Sequence, residues 1–129
     1  RKRLGEIVFA DKEKLNILNK ITHKYILEEV YAEMDGRENV ILDAPLLFET
    51  GLDKKCGITL GILSADSLKS ARIEKRDSVS EIYAKNRLAR QNGDCFFEKN
   101  CTFCIRNDGS IDEFKDKIRL FIKNEVNKK

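Results

Sequence analysis

From Asp11 onward, Leu15, Leu18, Ile21, Thr22, Tyr25, Ile26 and Val30 recur at the three- and four-residue steps that bring side chains onto one face of an α-helix. Asp11 suits the cap, because its carboxylate can accept from the free N–H groups of the first turn, and Gly36, just past Met34 and Asp35, suits the stop. The pattern then changes. Val40, Ile41 and Leu42 form a short run of strand formers that ends at Asp43, and Pro45 and Gly51 bracket the loop beyond it. Gly57 to Leu63 predicts a second strand, after which Ser64 caps a helix through Leu68, Ala71, Arg72, Lys75 and Arg76. Ser80 and Glu81 open a further helix to about Gln91, with Gly93 past its end. Thr102 to Arg106 predicts a third strand and Asn107-Asp108-Gly109 a turn. Ser110 and Glu113 then form a capping box ahead of an apolar stripe of Ile111, Phe114, Ile118, Phe121 and Ile122.

Strands apolar on both faces and alternating with amphipathic helices predict an α/β chain with a parallel sheet. Ligands in such sheets sit beyond the carboxyl ends of the strands, where Asp43 emerges. Asp43 is equally suited to capping the next turn, and the pattern leaves both roles open.

Composition narrows the class. A chain of 129 residues has the length of one domain, and 25 Lys and Arg against 22 Asp and Glu give a net charge of only +3. The basic residues are interspersed with acids and have no accompanying stacking aromatics, which argues against nucleic acid. No apolar run approaches the roughly 20 residues that span a bilayer, so no membrane partner is expected. Four cysteines without a signal peptide suggest reduced thiols in a cytoplasmic protein. Cys101-x-x-Cys104, with Cys95 upstream, invites a zinc or redox reading. On a strand, however, residues three apart face opposite sides and cannot share a metal, so incidental thiols and no metal site are expected.

Arg87 lies three residues from Arg90 and four from Gln91, so these polar groups share one helix face. That is the pattern of a solvated face, and also of guanidinium groups arranged to grip phosphate oxygens at two points. His23, the lone histidine, falls beside the apolar stripe of its helix, where a structural hydrogen bond is the simpler role.

The segment D-A-P-L-L-F-E-T-G (Asp43 to Gly51) resembles the D-x-P-L-L-F-E-x-G segment of the dephospho-CoA kinases, which are P-loop enzymes. L-G-E-I-V-F-A-D (Leu4 to Asp11), I-T-H (Ile21 to His23), K-R-D (Lys75 to Asp77), R-x-x-x-Q (Arg87 to Gln91) and N-x-G-S (Asn107 to Ser110) follow in family order. The resemblance implies ATP-dependent phosphorylation of the 3′-hydroxyl of dephospho-CoA, with Mg²⁺ as cofactor and ATP and dephospho-CoA as partners. It implies that Thr22 and His23 lie in the part that covers dephospho-CoA, that Asp43 positions substrate or holds Mg²⁺ through water, and that Glu49 sits beside the substrate. It implies further that Arg87, with Arg76 and Arg90, meets ATP phosphates from a mobile lid, and that Asn107 and Gly109 border the adenine. Lys24 replaces a usual proline, and Phe96, Phe97 and Glu98 stand at places usually charged or basic.

The resemblance also divides the chain into a helical substrate-covering segment (1–38), core strands and helix (39–75), a lid-like segment (76–100), and a last strand and helix (101–129). No G-x-x-x-x-G-K-S/T occurs, so the phosphate cradle is not among these residues. The chain reads as the carboxyl-terminal part of a longer kinase whose first strands and P-loop are absent. Its sheet is expected to be incomplete, which predicts that the 129 residues alone are inactive and unstable, or pair with another chain. Two rivals stand beside this: a non-catalytic CoA- or nucleotide-binding remnant, and another P-loop small-molecule kinase.

Overall fold

The computed structural model describes residues 2–9 and 11–127, with residues 2, 5, 6 and 9 described by backbone alone, so Arg1 and Ala10 of the opening segment lie outside the described residues. The chain divides into two compact units, Arg1–Cys56 and Gly57–Lys129.

The first unit is helical. Helix α1 spans Lys2–Phe9 and packs on α2, Lys12–Met34. Asp11 caps α2 as expected, accepting from the N–H groups of Glu13 and Lys14 at 3.0 and 3.2 Å. The helix closes at Asp35, and Gly36 follows with φ of 71° in the left-handed region that favours glycine. Lys24 does not interrupt α2. The half-buried face carries Leu15, Leu18, Thr22, His23, Leu27 and Val30, whereas Ile21, Tyr25 and Ile26 of the predicted stripe are exposed. No side chain of α2 is fully buried, so packing contributes to each residue well below the roughly 1.5–3 kcal/mol of a fully buried Leu or Ile.

The predicted strand at Val40–Leu42 does not form. A strand exists through hydrogen bonds to a neighbouring strand, and none pairs with this segment among the described residues. Ile41 is accordingly 97% exposed. Pro45 to Gly51 is instead a succession of tight turns, with Leu47 donating to Ala44, Thr50 to Leu46 and Gly51 to Phe48. Gly51, at φ of 75°, then turns the chain into a 3-10 helix, Leu52–Lys55, which buries Leu52.

The second unit holds the sheet. Strands β1, Leu60–Leu63, and β2, Phe103–Arg106, pair in parallel with Gly61 opposite Cys104 and Leu63 opposite Arg106. Both are shorter than predicted. Thr59 and Thr102 precede the pairing and are instead joined through side chains, Thr102 N–H donating to the Thr59 hydroxyl at 2.8 Å. Between the strands lie α3 (Asp66–Asp77), α4 (Glu81–Leu88) and α5 (Asp94–Asn100), and β2 is followed by α6, Ile111–Phe121, which ends in a π turn. Phe121 of α6 meets Phe103 of β2 edge-on at 5.4 Å.

Two expected helix boundaries are corrected. Ser64 does not cap α3, because its hydroxyl donates to the Asn107 carbonyl; Ala65 occupies the cap position. Helix α4 stops at Leu88 rather than Gln91, since Arg90 N–H and Gln91 N–H turn back to the carbonyls of Arg87 and Leu88. Helix α5 has no apolar periodicity to announce it, and sequence reasoning missed it.

Candidate functional site

At the carboxyl end of β1 the chain passes through Ser64 and Ala65 into α3, and at the end of β2 it turns through Asn107, Asp108 and Gly109 into α6. Asn107 N–H continues the strand pairing by donating to Leu63 at 2.7 Å, while its carbonyl accepts from Ser64 Oγ at 3.1 Å and Arg72 Nη2 at 2.9 Å. Asp108 receives the Ala65 N–H at 2.8 Å on one carboxylate oxygen and Arg106 Nε at 2.8 Å on the other. These contacts hold the Asp108 carboxyl down at about 2, with the Arg106 guanidinium as the largest cause. Asp94, capping the network from α5, binds Lys69 at 2.7 Å and Arg106 at 3.2 Å. The turn is therefore fixed from α3, α5 and both strands.

Gly109 is fixed by the helix that follows. In the capping box, Ser110 N–H donates to Glu113 Oε2 at 2.7 Å and Glu113 N–H to Ser110 Oγ at 3.2 Å. That places the Glu113 carboxylate where a side chain at Gly109 would project.

Arg76 and Arg87 are brought together through a residue the sequence reading did not single out. Asp77 accepts two bonds from Arg76, Nε at 2.7 Å and Nη2 at 3.0 Å, and one from Arg87 Nη1 at 2.6 Å. The Arg76 guanidinium is the main reason the Asp77 carboxyl lies below its ordinary range. Asp77 stands in the K-R-D segment, and its place next to one arginine and ten residues before another was the available signal. Arg90 joins Arg87, Tyr83 and Asn86 around a small surface groove. A larger groove of about 630 Å³ runs between α3 and α4, where Lys69 and Lys85 are balanced by Asp66, Glu74 and Glu81. Arg72, Ser64, Asp94 and Asp108 were also missed, because their roles arise from contacts 12 to 43 residues away in sequence.

The remaining candidates lie in the first unit. Thr22 turns its hydroxyl back to the Leu18 carbonyl at 2.9 Å, and His23 sits half-buried beside it. Asp43 is exposed just before the turn series and Glu49 is exposed within it. Among the described residues no three His, Cys, Asp or Glu side chains cluster as a metal site, and no helix is long and apolar enough to cross a membrane.

The comparisons with known proteins agree on one family. The family model for dephospho-CoA kinase matches residues 1–113. A dephospho-CoA kinase of Lactobacillus johnsonii is 33% identical over 92% of this chain, and one of Saccharomyces cerevisiae is 33% identical over 95%. The chain spans 62% and 54% of those two proteins. Among solved structures, the dephospho-CoA kinase of Campylobacter jejuni superposes with a TM-score of 0.61 at 33% identity, covering 99% of this chain and 65% of that one. A Thermus thermophilus protein superposes with a TM-score of 0.81 over 97% of this chain and 66% of its own at 24% identity, a likeness of fold. With its parallel strand pair flanked by helices, this chain belongs to the dephospho-CoA kinase family.

Proposed function

We propose that these residues serve a kinase that transfers the γ-phosphoryl group of ATP to the ribose 3′-hydroxyl of dephospho-CoA, releasing ADP. The observation that carries this is the family match across residues 1–113, which includes every proposed site residue. In this reading Arg87 is the phosphate-neutralising arm, held in waiting by Asp77. A phosphate group carries more negative charge and more acceptor oxygens than the exposed Asp77 carboxylate, so it competes with Asp77 for the Arg87 guanidinium. Arg76 and Arg90 support the same charge, and the pinned turn at Asn107 and Gly109 borders the adenine.

Thr22 and His23 belong to the surface that covers dephospho-CoA, with Glu49 beside it. Asp43 positions the substrate or holds Mg²⁺ through water. One exposed carboxylate suits Mg²⁺, which keeps several waters and takes its other ligands from substrate phosphates. The metal would supply charge neutralisation on the phosphates. The protein would work in the cytoplasm.

The test is to assay the native product containing these residues for ATP-dependent formation of CoA from dephospho-CoA, beside its Arg87→Ala variant. Formation of CoA, lowered about a hundredfold in the variant, is expected from the removal of one transition-state donor. Binding of dephospho-CoA without turnover would favour the binding-module reading. Preference for another nucleoside over dephospho-CoA would favour a different P-loop kinase. The 129 residues alone are expected to form no CoA, because they contain no G-x-x-x-x-G-K-S/T.

A further inference from the structure

Cys101 and Cys104 were expected to face opposite sides of a strand. They do not, because Cys101 lies in the bend before β2 and only Cys104 is on the strand. Cys104 stands opposite Gly61 in the register, and both sulfurs crowd the place a side chain at Gly61 would occupy, Cys104 Sγ at 3.0 Å and Cys101 Sγ at 3.1 Å from it. The absent side chain is what leaves room for two thiols on one face, and the Phe97 Cβ of α5 lies 3.5 Å from the same place. All four cysteines are free; Cys104 is exposed and Cys101 half-buried. Burial pushes the Cys101 thiol up, and the neighbouring Cys104 raises it further.

We propose that Cys101 and Cys104 form a reversible dithiol–disulfide site over Gly61, oxidised by low-molecular-weight disulfides of the glutathione class. The chemistry follows the exposure. The Cys104 thiolate attacks one sulfur of glutathione disulfide, forming a mixed disulfide and releasing one glutathione thiolate. The Cys101 thiolate then attacks the Cys104 sulfur, closing the protein disulfide and releasing the second. Two thiols lose two electrons and two protons, and glutathione disulfide becomes two molecules of glutathione.

With Cys104 exposed, the disulfide is readily reduced, as exposed ones are. It is a switch rather than a staple.

The test uses the full chain with Cys56→Ser and Cys95→Ser, fully reduced and exposed to excess glutathione disulfide, followed by acid quench, alkylation and intact mass. The expected product is lighter by two hydrogens, carries no glutathione, takes up no alkylating reagent, and returns to the starting mass with dithiothreitol. Adding Cys101→Ser should trap the mixed disulfide on Cys104. Closure should be several-fold faster in the folded chain than in urea, and Gly61→Ala should slow it. A mixed disulfide that persists on Cys104 while Cys101 is present, or closure no faster when folded than in urea, would overturn the proposal. The experiment contains no nucleotide, so its outcome is independent of the kinase reading.

Discussion

Asp108 shows how much one short side chain can fasten. It satisfies the N–H that opens α3 and the guanidinium that ends β2, contacts between residues 43 and 2 positions apart in sequence. Its folded pKa of about 2 lies below the ordinary 3.8, so the stabilisation is complete above about pH 4 and lost as pH falls through about 2. Asp108→Asn should therefore melt lower than the unaltered chain at pH 7, and the difference should shrink towards zero at pH 2. Thermal melts at the two pH values measure it, and an equal difference at both would show that the carboxylate does not act through its charge. The sequence revealed Asn107-Asp108-Gly109 as a turn, because those residue types suit turns locally. It could not reveal that Asp108 reaches Ala65, nor that Asp77 holds two arginines, because neither pairing leaves a periodic trace.

Elements were legible where local chemistry fixes them. The Asp11 cap of α2 and the capping box of α6 both depend on residues two to three apart, and both stand as read. Ser110→Ala should cost about 1 kcal/mol, the usual effect of losing a hydroxyl cap, and lower the midpoint of urea unfolding without changing its slope. Val40–Leu42 went the other way. Its residues favour a strand, but strand formation is a property of two segments, and this one has no partner among the described residues. The cysteines teach the same lesson in reverse. Strand alternation does not extend to Cys101, which lies two residues before β2 begins, so it misplaces that side chain.

On the scale of the whole molecule, little is deeply buried. The buried hydrophobic residues described are Val8 and Leu52 in the first unit and Leu63 and Ala84 in the second, while Ile41 and Ile82 are 97% and 74% exposed. The strand pair β1–β2 has no third strand among the described residues, so both outer edges keep unpaired backbone groups. We expect the 129-residue chain to self-associate. Sedimentation velocity should show a mass that rises with concentration, and a concentration-independent monomer with a two-state melt would contradict this. The fold class and family were legible because motifs spread along the chain carry them. The state of assembly is not written in any motif.

The parallel pairing of β1 with β2 has a topological consequence. Residues joined across it lie 43 apart, as in the bonds from Thr102 to Thr59, so α3, α4 and α5 form a loop closed by the strand pair and the contacts at its carboxyl ends. Closing a loop of that length requires chain entropy to be given up before any strand contact repays it. The three helices and the turn at Asn107 are thus fastened together or released together. Arg76 and Arg87 lie inside that loop, so loss of the strand pairing frees the segment that carries both of them.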